Sequence, residues 1–534
     1  MKTECGIFAC IIKNKIDKQK IYNAMSNIQH RGQDSYGYIT ITPYIDSNID
    51  SKCGTGANIN IIKEFGLLCK IDDFMYDFMY DFIYEDSAKC LGQIFLGHMR
   101  YSTNTLLENS LNINNIQPIE IRAYNHMYIA HNGNLPNLKD NIAKLGLGLE
   151  LEYEDGMTDT HFFNMLWHKL RSTIYGFSIE SFDVEEYIQY IIDNIPGAYS
   201  CVLSYYSKEE GLCLFGFRDK FGYKPLSICE IDGNYCFVSE TVQVIDIDNS
   251  RSNGKFITDV NPGEIWTITQ NGIKHINKSV DRIVDRTVDR IVDRIVDKTN
   301  TFLCALEPIY FMKKDSLIFN GVISVSEFRE LIGIELAKQD LEMGMNISID
   351  NNVLYIPESS YSIAYGYSST LSEKTNCSEI NNGVKKDLIF KIENIRSFIE
   401  STHDARIGKL KRKFAFNIED IKKLHEIVLI DDSIVRGNSM KFIIDTLYSI
   451  NPGLIIHIRI GCPKLVKGCN FGIDLYDDEL IALQVDNLAE YFKVASIRFL
   501  ELDRLQQIFA NFDITNCGMC FGNLNNNNIK TLEW

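Results

Sequence analysis

The most constraining stretch of this chain reads Ile427-Val-Leu-Ile-Asp431-Asp432-Ser433-Ile-Val-Arg436-Gly437-Asn438-Ser439. A short, unbroken apolar run of this kind suits a strand buried on both faces, as in a parallel sheet. Two carboxylates end that strand, a loop of small residues follows, and a helix is expected from Met440. A second apolar run, Leu454-Ile-Ile-His-Ile-Arg-Ile460, completes a strand, helix, strand unit. Open sheets built from such units bind their ligands at the carboxyl ends of the strands. There, a loop feeding a helix N-terminus offers backbone N–H groups to a phosphate, and adjacent acids suit ribose hydroxyls or a hydrated cation. The alternative, two acids merely closing a surface strand, leaves the loop composition unexplained.

A length of 534 residues exceeds what one hydrophobic core supports, so at least two domains are expected. With 54 basic against 71 acidic side chains, the net charge of −17 argues against a nucleic-acid or anionic-membrane binder, which needs basic stripes. Local basic pockets for small anions stay open. No window approaches a membrane span, and the lysines Lys2, Lys13, Lys15, Lys18 and Lys20 interrupt any apolar stretch near the start, so a cytoplasmic protein is expected. Fifteen cysteines in such a chain should be mostly reduced: buried, nucleophilic or metal-ligating.

Two segments repeat with period four, Asp73 to Tyr84 and Val280 to Lys298. The second suits a solvated helix with Arg282 and Asp285 at i,i+3, or a disordered insert. It separates a first half of short β-type runs from a second half of strand, loop and helix. The expected division is residues 5–275, a low-complexity linker at 276–300, 301–500, and a C-terminal segment at 501–534 that ends in a polar Asn-rich tail.

Near the start stands Met-Lys-Thr-Glu-Cys5-Gly-Ile-Phe-Ala-Cys10. Removing four residues would leave a cysteine whose own α-amine, titrating at ~7.7 to 8.0, takes the thiol proton with no histidine needed. Alone, a cysteine near a terminus is usually a small buried residue. Its company is more telling: Gln29-His-Arg31-Gly-Gln-Asp-Ser-Tyr-Gly37, Gly97-His-Met-Arg100-Tyr-Ser-Thr103, His131-Asn132-Gly133-Asn134, Thr158-Asp159-Thr160 and Arg218-Asp-Lys-Phe-Gly-Tyr-Lys-Pro-Leu226.

In that order these motifs resemble the class II glutamine amidotransferases, from Cys5 to about Trp266. The resemblance implies an α+β N-terminal-nucleophile domain, an αββα sandwich. It makes Cys5 the nucleophile, with Asn132 and Gly133 donating to the oxyanion. Arg31, Arg100 and Asp159 would bind glutamine, a guanidinium fork on the α-carboxylate and a carboxylate on the ammonium. Asp159 also suits a helix N-terminus. This chain departs from the pattern with His161 where the family usually has Glu, and Lys224 where it has a second Arg.

The 427–439 stretch resembles the type I phosphoribosyltransferases, α/β proteins with a parallel sheet that hold 5-phosphoribosyl 1-pyrophosphate (PRPP). On that resemblance Asp431 and Asp432 contact the ribose. The loop Ser433, Ile434, Val435, Arg436, Gly437, Asn438 and Ser439 surrounds the 5′-phosphate, with Asn438 in place of the usual Thr. Ser359, in Val353-Leu-Tyr-Ile-Pro357-Glu358-Ser359-Ser360, joins Asp431 and Asp432 at Mg²⁺. Arg396, with Arg406, Lys409 and Arg412, lies in a cationic cover for the pyrophosphate. Lys391-Ile-Glu393 stands where the family has Asn-Arg-Tyr, so the cover departs most from the pattern. Further family-like stretches are Cys304-Ala-Leu-Glu307-Pro-Ile-Tyr-Phe311 and Val325-Ser-Glu-Phe-Arg329.

Both halves in this order resemble the amidophosphoribosyltransferase family, which implies glutamine-dependent formation of 5-phosphoribosylamine, pyrophosphate and glutamate at the first committed step of purine synthesis. It implies purine nucleotides as inhibitors and a homo-oligomer. One branch also carries an iron-sulfur cluster on four cysteines. Cys469, Cys517 and Cys520 match three of them. Val242 occupies the fourth position, with Cys236 or Cys229 near enough in sequence to substitute. Two buried thiols or a zinc half-site explain the C-x-x-C pair equally well. Two other functions are weighed against this: another class II amidotransferase, which leaves the ribose-phosphate motif unexplained, and a degenerate member that binds phosphoribosyl ligands as a regulator.

Overall fold

The strand Gly6–Ile12 alternates its side chains between two cores, as the pleat requires. Ile7, Ala9 and Ile11 point into an apolar layer shared with Tyr128, Val202, Leu214 and Trp266, while Phe8, Cys10 and Ile12 pack on the opposite side beside Ile21, Ala24 and Met25. Having no polar face, the strand must lie in the middle of a covered sheet.

The computed structural model describes residues 4–13, 16, 18–44, 56–74, 93–101, 112–121, 126–149, 157–174, 183–207, 211–245, 254–276, 282–283, 302–344, 352–374, 384, 388–392, 414–469, 471–473 and 475–522. Gly6–Ile12 lies between Asn234–Val238 and Gln93–Arg100 in a seven-stranded sheet. A second seven-stranded sheet centres on Gly211–Arg218, Ala198–Ser207 and Met127–Asn134. The two sheets stack face to face. Helix Lys18–Asn27 packs outside the first, and helices Asp159–Ile174 and Val184–Asn194 outside the second. This is the αββα sandwich of an N-terminal-nucleophile fold.

The second unit is a four-stranded parallel sheet, ordered Asn352–Tyr355, Glu426–Asp431, Ile455–Ile460 and Ser496–Phe499. Val428, Leu429 and Ile430 are fully buried, as expected of a strand covered on both faces. Helix Val325–Glu342 packs on helix Tyr361–Lys374, close enough that a Cβ on Gly333 would stand 2.0 Å from the Ile363 carbonyl oxygen. The stretch after residue 500 joins this core. Leu505, Ile508 and Phe509 of helix Leu502–Ala510 are buried in it, and Thr515–Cys517 pairs in parallel with Phe302–Cys304.

Of the second repeat only Arg282–Ile283 is described, and it is a strand, pairing with Gly272–Ile276 at the edge of the second sheet. A free sheet edge offers hydrogen bonds to any adjacent β-branched segment, which outweighs the weak helical period there. The rest of that repeat, Met75 to Tyr84 of the first, Arg396, Arg406, Lys409, Arg412 and the Asn-rich tail lie outside the described residues. No helix among the described residues is long and apolar enough to cross a membrane.

Candidate active sites

Cys5 immediately precedes the Gly6–Ile12 strand, and the pairing of Gly6 with Met99 brings the end of Gln93–Arg100 alongside it. The Tyr101 amide donates to Cys5 Sγ at 3.5 Å, and the thiol faces the Tyr101 carbonyl oxygen at 3.7 Å. Burial pushes the Cys5 thiol up to about 12. The nearby Arg100 guanidinium pulls it the other way, and Asp159 and Glu4 push it further up. Both the Arg100 and the Asp159 charges are thus felt at the sulfur. A thiol so protonated is a poor nucleophile, and in the intact chain the Cys5 nitrogen is an amide that cannot accept its proton.

Asn132 and Gly133 end the strand Met127–Asn134 of the other sheet. The Asn132 side chain is 1% exposed, and its amide nitrogen has no hydrogen-bond partner. A buried unpaired donor costs ~1 to 3 kcal/mol, so it persists where a ligand's acceptor supplies what the protein does not. At Gly133 a Cβ would stand 2.0 Å from the Ala198 carbonyl oxygen, so only glycine lets this backbone through. Asp159 opens helix Asp159–Ile174 and accepts from the Leu135 amide at 3.2 Å, which ties it to the end of the same strand. His131 and His98 are held neutral by burial, His98 down to about 3, and His98 Nε2 lies 3.1 Å from the His131 carbonyl oxygen, bridging the two sheets.

Arg31, expected to bind glutamine, is held by protein groups in the intact chain. It is 1% exposed, and all five N–H groups are taken by protein. Nε donates to the Cys5 carbonyl oxygen at 2.9 Å, Nη1 to Glu240 at 2.8 Å and Glu307 at 3.1 Å, and Nη2 to Glu4 at 3.1 Å and Glu307 at 3.0 Å. In the intact chain it orients the Cys5 backbone and has every donor occupied, one of them by Glu4. Glu240 and Glu307 are residues to which motif reading gave no role, and Lys224 was noted there only as a departure from the pattern. Glu240 accepts from Lys313 N at 2.9 Å and Ser316 Oγ at 2.8 Å, joining the two units beside the nucleophile. The only signal was their place inside family-like stretches.

In the second unit Asp431 ends the central strand and Asp432 begins the loop. Asp432 is 3% exposed. Ser359 donates to one of its oxygens and Ser433 to the other at 2.8 Å, while the Asp432 amide donates to Asp431 Oδ1 at 3.0 Å. Burial raises the Asp432 carboxyl; the Ser359 and Ser433 hydroxyls and the Arg329 charge oppose it. Ser359, Asp431 and Asp432 are thus brought together as expected. The loop turns at Gly437, φ +73°, where a Cβ would also stand 2.6 Å from Ile481 Cδ1, and helix Asn438–Ile450 starts there. Ile434 and Val435 bury their side chains, so only their backbone is left for a ligand. Arg436 is paired with Glu479, and Asn438 is exposed.

Among the described residues no three His, Cys, Asp or Glu side chains are arranged to hold a metal ion. Two carboxylates and a hydroxyl fit Mg²⁺, which is typically bound by one or two carboxylates together with substrate phosphates. Cys236 lies in the first sheet between Cys10 and Cys229, its Sγ donating to the Cys229 carbonyl oxygen at 3.4 Å. Cys304 pairs in register with Cys517, and burial together with Cys304, Cys517 and Cys469 pushes the Cys520 thiol well up. Their surroundings are apolar, with the Tyr223 and Phe471 rings stacked 4.7 Å apart nearby.

A sandwich whose candidate nucleophile precedes a central strand, joined to a parallel sheet with paired acids at its carboxyl end, is the layout expected of an N-terminal-nucleophile amidotransferase coupled to a phosphoribosyltransferase. Over nearly its whole length the chain is similar to amidophosphoribosyltransferases. It is 27% identical to that of Methanocaldococcus jannaschii, covering 96% of this chain and 95% of the relative. It is 24% identical to that of Bacillus subtilis, covering 97% and 93%. The solved B. subtilis glutamine PRPP amidotransferase, complexed with ADP and GMP, superposes with a TM-score of 0.67 at 23% identity, covering 97% of this chain and 96% of that one. No family model matches the chain.

Proposed function

We propose that this protein hydrolyses glutamine at Cys5 and uses the ammonia to replace the pyrophosphate of PRPP, giving 5-phosphoribosylamine. The observation that carries the reading is the pairing, in one chain, of a thiol that feels the Arg100 and Asp159 charges, in a sandwich that also holds the buried, unpartnered Asn132 amide, with a paired-acid loop at the end of a parallel sheet. The nearly full-length similarity to amidophosphoribosyltransferases supports it.

Once the Glu4–Cys5 bond is cut, the Cys5 amine becomes a base beside its own thiol and takes its proton. The sulfur then attacks the glutamine side-chain carbonyl, and the amine passes the proton to departing ammonia. The Asn132 amide and the Gly133 N–H receive the oxyanion; such a donor typically contributes about 10² to 10³ in rate. Arg100 and Asp159 hold the glutamine α-carboxylate and ammonium. In the second unit Asp431 and Asp432 hold the ribose, and the 433–439 loop and the following helix N-terminus hold the 5′-phosphate. Ser359, Asp431 and Asp432 would hold Mg²⁺, which when bound neutralises charge on the leaving diphosphate. Cys304, Cys469, Cys517 and Cys520 are the thiols that would carry an iron-sulfur cluster, a group larger than a single ion and served by more widely spaced ligands. Purine nucleotides are expected to inhibit, since the B. subtilis protein was solved with ADP and GMP.

The test separates the half-reactions. Cys5→Ala should abolish glutamine-dependent product and keep ammonia-dependent product, while Asp431→Ala and Asp432→Ala should each sharply lower both. Equal loss of both activities in Cys5→Ala contradicts the assignment.

A further inference from the structure

Glu4, the residue before the nucleophile, is buried to 5% exposure. One carboxylate oxygen accepts from Lys224 Nζ, the other from Arg31 Nη2 at 3.1 Å, and the same Arg31 nitrogen also donates to Glu307 at 3.0 Å. Lys224, itself 1% exposed, sits two residues beyond Gly222 in the loop after strand Gly211–Arg218, and Glu307 belongs to the second unit. Neither Lys224 nor Glu307 has a part in the glutamine or ribose chemistry above. Burying a carboxylate costs several kcal/mol unless cations meet it, and here two do.

The charges around it do not balance while Glu4 is present. Three buried carboxylates, Glu4, Glu240 and Glu307, face two permanent cations, Arg31 and Lys224, with His30 alongside Glu240. Without Glu4 two carboxylates face two cations, and Lys224 already feels the Glu307 charge. The excess shows at Glu307. Burial pushes its carboxyl up to about 8, with Glu4 adding to the rise and Arg31 opposing it.

We propose that Lys224, Arg31 and Glu307 form the recognition subsite for an acidic residue on the N-terminal side of the Glu4–Cys5 bond, holding that bond for hydrolysis. The inference rests on the reading of Cys5 as an N-terminal nucleophile. Hydrolysis breaks the bond between the Glu4 carbonyl carbon and the Cys5 nitrogen. The hydroxyl of one water stays on that carbon as a carboxyl group, its proton goes to the nitrogen, and nothing is oxidised or reduced. With Glu4 gone, Lys224 is left to Glu307, which ties the first unit to the second. Lys224 is therefore a positioning residue for maturation.

The test follows the mass of the full chain over time after expression. Wild type should lose everything before Cys5. Glu4→Gln, which keeps the volume and removes the charge, and Lys224→Met should each slow that loss about tenfold or more, and Lys224→Arg should restore it. A role in stability alone predicts no rescue by Arg without a parallel recovery of the thermal transition, so melting curves are recorded for each variant. If Lys224→Met does not fold, Glu4→Gln decides. Processing of Glu4→Gln at the wild-type rate overturns the proposal. A wild-type protein that keeps Glu4 and still hydrolyses glutamine overturns the N-terminal-nucleophile reading as well, which the mass distinguishes at once.

Discussion

The two sites are built in opposite ways. The proposed glutaminase site is assembled from strand and helix ends far apart in sequence, Cys5, Arg100, Asn132 and Asp159; Asn132 is buried with an unpartnered amide, and the thiol is pushed up to about 12. The transferase site is nearly one contiguous stretch, Asp431 to Ser439, with Ser359 added by the neighbouring parallel strand. A site of the first kind depends on one covalent event and on donors held ready before substrate arrives. A site of the second kind depends on charge at the open end of a sheet, where side chains share the work.

That difference predicts a sharp response to single changes at the first site. Cys5→Ala should lower glutamine-dependent turnover by on the order of 10³-fold or more, because it removes the proposed nucleophile, with ammonia-dependent turnover kept. Asn132→Ala should follow at about 10² to 10³ in kcat with little change in KM, since its amide is used only once the oxyanion forms. A large rise in KM at constant kcat would show Asn132 to be a glutamine-binding group and dissolve the contrast. At the transferase site Asp431→Ala and Asp432→Ala should each cost roughly 10- to 100-fold with either nitrogen source. An effect confined to glutamine would place the acids in the wrong half.

How each site was readable follows from the same contrast. A buried parallel strand, its terminal acids and a glycine-pivoted loop are local, so residues 427–439 announce strand, phosphate loop and helix together. The sandwich was readable only through motif order, because the approach of Arg100 and Asp159 to Cys5 is made by sheet register. Arg31 shows the limit: its motif marked it as functional, but only packing shows that its five donors serve Glu4, Glu240, Glu307 and the Cys5 carbonyl oxygen. Cys304 shows it too. Nothing local links it to Cys517, more than two hundred residues away; the parallel pairing of Phe302–Cys304 with Thr515–Cys517 does. Iron and sulfide should therefore be lost in Cys304→Ser and kept in Cys236→Ser after anaerobic purification. The reverse result would return the fourth position to the first sheet.

The smallest expected effect concerns the carboxyl shared between the two units. Glu307 sits at about 8 in the folded chain against an ordinary value of 4.5, raised by burial and by Glu4. A folded-state value above the unfolded one means that its contribution to stability is complete below about pH 4.5 and is lost as pH rises through about 8. In protein that still carries Glu4, the thermal midpoint should fall across that window, by roughly a few degrees. Glu307→Gln, neutral at every pH, should flatten the fall. Protein beginning at Cys5 should flatten it as well, because departure of Glu4 removes one cause of the rise and frees Lys224 to stabilise the Glu307 carboxylate. The same slope in both forms would mean that burial alone sets Glu307, and that the two sites are joined without any dependence on the residue before the nucleophile.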